Sequence, residues 1–146
     1  MAATADKASL HIRETLFMGR AIRDPTDQVR AQLVKAMDDE LKSTGAVSLG
    51  VITVAYRAGL AEQVFEAVDR ASFDALFEPS GTNPGGWYSA SILFDDEQGI
   101  WRDPRFVRLS GKLGLNAFWS STDRWPDVAA QLPPSFKDAA RRTVAP

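Results

Sequence analysis

The sequence predicts an all-α protein made of stacked antiparallel helical hairpins, and three observations carry that expectation. Apolar residues recur at helical spacing along most of the chain. The segments so defined open at caps such as Asp-Pro and close at Gly. The one β-branched run sits inside a helical pattern rather than between turns. With 146 residues, 45% of them hydrophobic and 25% charged, the chain can build one substantial core, so residues 1–146 are expected to form a single helical-repeat domain.

The clearest helix spans 24–45. Asp24 suits an N-cap, Pro25 the first helical position, and Asp27 the positive end of the dipole. Val29, Leu33, Ala36, Met37 and Leu41 then form the apolar stripe, and Lys42 and Gly45 supply closing signals. Upstream, Leu10, Ile12, Leu16, Phe17, Ala21 and Ile22 fit a broader helical stripe, although 11–18 alternates enough to permit a strand.

The run 47–56 favours a strand on propensity alone. Its spacing favours a helix, because Val47, Val51, Val54, Ala55 and Ala58 share one helical face. Gly59 then makes a corner, and Val64, Phe65, Val68, Ala71 and Leu76 continue a second helix, which completes an αα-hairpin.

Turn formers dominate 79–86, which reads as a loop, and 87–94 reads as a short helix burying Trp87, Ala90, Ser91 and Phe94. Asp103-Pro104 repeats the Asp-Pro signal ahead of Phe106, Leu109 and Leu113, and Gly114 ends that helix. Leu115, Phe118 and Trp119 begin another. Trp125-Pro126 opens a last one carrying Val128, Ala129 and Leu132; after Pro133-Pro134, residues 136–142 form a short terminal helix or a frayed tail.

Helices joined at Gly corners are the architecture of α-solenoids, in which each hairpin buries its face against its neighbours. The stretch 46–77 loosely resembles a tetratricopeptide repeat, with Ile52 where the repeat carries Gly and Leu76 where it carries Pro. The stronger resemblance covers 101–132. There Asp103-Pro104-Arg105-Phe106, Leu113-Gly114-Leu115, Phe118-Trp119 and Trp125-Pro126-Asp127 resemble the capping end of bacterial tetratricopeptide-repeat proteins, regulators among them. Residues 1–45 match no motif. The resemblance implies a non-catalytic scaffold for protein–protein interaction, the C-terminal part of a larger regulatory protein.

Composition bounds the chemistry. A formal net charge of -2, from 17 basic and 19 acidic residues, gives no global attraction to phosphates, so nucleic acid is not an expected partner. The absence of cysteine excludes disulfides, thiolate nucleophiles and Cys-ligated metals. Residues 1–7 show no leader pattern, no run approaches a bilayer span, and a cytoplasmic location is the simplest expectation.

One histidine, His11, stands without a metal motif, and Ser110-Gly111-Lys112 lacks the first Gly of a phosphate loop. Asp38-Asp39-Glu40 and Asp95-Asp96-Glu97 lack the alternation of a calcium loop and read as solvated surface. No catalytic residue, cofactor site or metal site is therefore expected.

The unusual feature is aromatic. Trp87, Trp101, Trp119 and Trp125 fall within one third of the chain with Phe94, Phe106, Phe118 and Tyr88. They form either a packed cap for short helices or an aromatic groove with Arg102, Arg105 and Arg124 at its rim. The candidate partner surface is Trp87, Trp101, Arg105, Trp119, Arg124 and Trp125. A protein or peptide partner is the first expectation, and a small-molecule sensor with an aromatic pocket is the alternative. An apolar end at the first helix would allow a homodimer.

Overall fold

The computed structural model describes residues 18–74, 92–94 and 98–144, and every regular element among them is helical. A helical stretch at 18–23 leads into α1 (Asp27–Thr44), α2 (Leu49–Arg57) and α3 (Ala61–Arg70). A 3-10 turn at Ile100–Arg102 is followed by α4 (Phe106–Lys112), α5 (Leu115–Thr122), a second 3-10 turn at Asp127–Gln131, and α6 (Phe136–Arg142).

The start of α1 differs from the sequence expectation. Thr26 is the cap, its hydroxyl accepting the Val29 N–H at 3.3 Å. Asp24 instead closes the preceding helical stretch, its N–H donating to the Arg20 carbonyl at 2.8 Å. Pro25 has no N–H to continue that turn, so the next residue, Thr26, caps a new helix that starts at Asp27. The far end follows the sequence: Gly45 takes the left-handed conformation (φ 74) and its N–H returns to the Leu41 carbonyl.

The β-branched run is a helix. Ser48 caps it, and Glu40 reaches over from α1 to accept the Ser48 N–H at 2.7 Å. Leu49, Ile52, Val54 and Ala55 are buried on its inner face, so tertiary burial outweighs strand propensity. Gly59, at φ +84, makes the corner that a side chain would strain. In α3, Val64, Phe65, Ala67 and Val68 go inward while Glu62, Gln63, Glu66, Asp69 and Arg70 stay exposed.

Helices α1, α2 and α3 pack against one another, and α4, α5 and α6 do the same. The two groups meet where α3 packs on α4 and where the Ile100–Arg102 turn lies against α2 and α4. Lys112 of α4 strengthens this junction by donating to the Asp69 and Ala71 carbonyls, each at 2.8 Å. Those are orphan acceptors at the C-terminal end of α3, where the helix dipole also favours a cation. A continuous apolar cluster runs through both groups, from Ala21 to Ala140.

Beyond Gly114, at φ 71, α5 forms where expected. Trp125-Pro126 opens a single 3-10 turn rather than a full helix, and 136–142 is an α-helix with Phe136 and Ala140 buried. The expected stripe at 10–17, His11, the loop at 79–86, Leu76, Trp87 and the acids at 95–97 lie outside the described residues. Of the expected helix at 87–94 only 92–94 are described; they form a turn with Leu93 buried. No helix among the described residues is long and apolar enough to cross a membrane.

Candidate functional site

The aromatic residues divide between two environments. Trp119 lies 6.3 Å from Phe94 and 6.0 Å from both Phe136 and Trp125, ring centre to ring centre. Phe106 joins the same group, stacked on Phe136 at 5.8 Å and edge-on to Phe94 at 5.8 Å. These contacts hold the short helices α4, α5 and α6 together, none of which would persist alone. Trp101, only 2% exposed, sits in the first 3-10 turn under the Arg102 guanidinium, 4.6 Å from its ring.

Trp125 marks the outer edge of the group. It is half-buried, its Nε1 donates to Asp123 at 2.9 Å, and Lys137 and Arg141 lie 5.1 and 5.5 Å from its ring. Arg124 beside it points to solvent. Trp87 falls outside the described residues, so the structure brings Trp119 and Trp125 together and puts Trp101 and Arg105 elsewhere.

Arg105 belongs to the junction between the two helix groups. Its guanidinium lies 4.5 Å from the Phe65 ring of α3, donates to Glu62 at 2.7 Å, and donates to both carboxylate oxygens of Asp103 at 2.9 and 3.0 Å. Asp103 also accepts the Arg105 N–H at 2.9 Å and faces the Tyr56 hydroxyl of α2 at 3.4 Å. Burial pushes the Asp103 carboxyl up, but the Arg105 hydrogen bonds outweigh it and hold it below the ordinary value. Burial, then the Asp103 charge, raises Tyr56, and the Asp103 and Glu62 bonds raise Arg105.

The polar motifs singled out in the sequence are absorbed into structure. Asp39 pairs with Lys35, Asp38 with Arg70 and Glu40 with Ser48, so the three successive acids diverge. Ser110 is buried, its hydroxyl donating to the Phe106 carbonyl and meeting Asn116 Oδ1 at 2.7 Å. Asn116 Nδ2 in turn donates to the Val107 carbonyl and to Thr143 Oγ1, each at 2.9 Å, which ties α4, α5 and the end of α6 into one network. Among the described residues, no group of three or more His, Cys, Asp or Glu is placed to hold a metal ion.

An open cleft of about 140 Å³ lies between α1 and α3. Val34, Met37 and Ala67 give it an apolar floor, with Asp38, Gln63, Glu66 and Arg70 around its mouth. Arg70 reaches across to Asp38 at 3.5 Å. The sequence reading did not single out this cleft. Its signal is the stripe 63, 66, 67, 70 on α3 facing 34, 37, 38 on α1, which mixes polar and apolar residues at helical spacing. No family model matches the chain, and neither the curated proteins nor the solved structures offer a match.

Proposed function

We propose that the chain is a non-catalytic helical-repeat module that holds a protein or peptide partner, and that it is the C-terminal part of a larger cytoplasmic regulatory protein of tetratricopeptide-repeat type. The observation that carries this reading is the open cleft between α1 and α3, an apolar floor within a polar rim, which is the form that receives a helix or an extended segment. The hairpin of α2 and α3 packed on α1 supports the stacked-repeat part of the reading, since each helix then buries its face against neighbours in sequence. Burial of Trp101 and Trp119 favours a structural role for those two rings over a ligand pocket.

Site-specific photo-crosslinking tests the reading. A benzophenone side chain at Gln63, at the cleft mouth, is expected to capture a defined polypeptide reproducibly in cell extract, while the same group at Lys137 on α6 does not. Equal capture at both positions, or capture at neither, would refute it.

A further inference from the structure

We infer that the α1–α3 cleft takes a partner segment carrying one aliphatic side chain with a Lys or Arg about one helical turn from it. This rests on the interaction reading above and adds the chemistry of the partner.

Size sets the first half. About 140 Å³ over Val34, Met37 and Ala67 accommodates a Leu, Ile or Met side chain. It falls well short of the roughly 300 Å³ at which small-molecule sites begin. Met37 lines the floor, and an unbranched polarizable side chain adapts to differently branched aliphatic guests.

Charge sets the second half. Three carboxylates of α3 are exposed, and two are already committed: Glu62 to Arg105 and Asp69 to Arg108. Asp38 and Arg70 neutralise each other at one end of the cleft. Glu66 remains. It lies on the cleft mouth, is exposed, and has no hydrogen-bond or ion-pair partner among the described residues; Gln63, one turn before it, is likewise uncommitted. The mouth therefore carries one uncompensated negative charge beside an apolar floor. A cationic side chain gains there, an acidic one is repelled, and the Gln63 amide can hydrogen-bond to a partner of either kind. Because an α-helical partner places neighbours three or four residues apart on one face, the anchor and the cation fall about one turn from each other.

The test uses the intact chain and a displayed library of random-sequence helical peptides, keeping binders that Gln63→Trp rejects because its indole fills the mouth. Glu66 and Gln63 are exposed, so neither substitution threatens folding, and circular dichroism verifies this. The expected binders share an aliphatic residue with Lys or Arg three or four positions away. Glu66→Lys is expected to weaken them roughly three- to tenfold, an effect that shrinks at high salt. Glu66→Gln is expected to fall between. Acidic or uncharged consensus peptides, or indifference to Glu66→Lys, would overturn the basic-partner inference while leaving the cleft as an interaction site. If no binder is sensitive to Gln63→Trp, both fall. A chain that self-associates and becomes monomeric on Gln63→Trp assigns the cleft to a second copy and also overturns the inference.

Discussion

The Arg105 guanidinium lies 4.5 Å from the Phe65 ring while it grips both oxygens of Asp103, so a single side chain joins α3 to the start of α4. Asp103 is in turn within reach of Tyr56 on α2, which makes this cluster a polar link between the two helix groups beside those of Lys112 and Arg108 to α3. Its position at the junction sets Arg105 beside Phe65 and Glu62 of α3.

Arg105→Ala is expected to lower the unfolding free energy by about 1–3 kcal/mol, since it removes a cation–π contact and leaves a mostly buried carboxylate without its cationic partner, held only by the Tyr56 hydroxyl and a backbone N–H. Arg105→Lys restores the charge but not the fork, and is expected to recover less than half of the loss. Urea unfolding checks both. An unchanged midpoint for Arg105→Ala would mean that apolar packing alone carries the junction.

The same cluster predicts a pH dependence. The Asp103 carboxyl is held below its ordinary value of 3.8 in the folded chain, so its contribution is present above that value and is lost as pH falls through the lowered one. Stability should therefore drop below about pH 4, and Asp103→Asn should flatten that part of the curve. Asp39 is also lowered, by its hydrogen bond to Lys35, but it is an exposed surface group, and Asp39→Asn is expected to leave the curve unchanged. Unfolding free energies measured across the acid range distinguish the two variants.

Gly111→Ala is expected to destabilise the chain although alanine is the better helix former by roughly 1 kcal/mol. A Cβ at Gly111 would stand 3.1 Å from Asn116 Nδ2. That amide cannot easily retreat, because it donates to Val107 and Thr143 while its oxygen meets Ser110. Asn116→Leu, which strips the network of its centre, is expected to cost about 1–3 kcal/mol or more. A Gly111→Ala chain with a raised thermal midpoint would show that the network yields.

Fluorescence quenching addresses the tryptophans directly. In a chain carrying Trp87→Phe, emission from Trp101 and Trp119 is expected to be blue-shifted and protected from iodide, since the two are 2% and 5% exposed. Trp125, half-buried between Lys137 and Arg141, is expected to supply the quenchable part, helped by the positive charge that draws iodide to it. Adding Trp125→Phe should remove that part; if quenching persists, one of the inner rings is open to solvent.

Local structure was largely legible. The helix at α2 could be read against its strand propensity because Val47, Val51, Val54, Ala55 and Ala58 repeat at helical spacing, and all but the half-buried Val51 are buried. Gly45, Gly59 and Gly114 were legible as corners because the left-handed conformation each adopts strains a residue with a Cβ. The start of α1 was read wrongly because Asp24-Pro25 can end one helix as well as begin another. Only the competing carbonyl of Arg20, offered by the preceding stretch, decides which.

What the sequence alone determined is thus the all-helical class, the corners and part of the inward faces, all consequences of spacing and of backbone preference between near neighbours; Phe118, expected inward, is exposed, while Ile52 and Asn116 are buried. The tertiary structure decided what those faces meet. Trp119 becomes core because Phe136, seventeen residues later in the chain, is folded back onto it, and Arg105 becomes a junction because Phe65 and Glu62 arrive from a distant helix. The cleft exists only where α1 and α3 lie side by side across the α2 hairpin. Such meetings depend on the angle and register at which whole helices pack, and no short stretch of sequence encodes those.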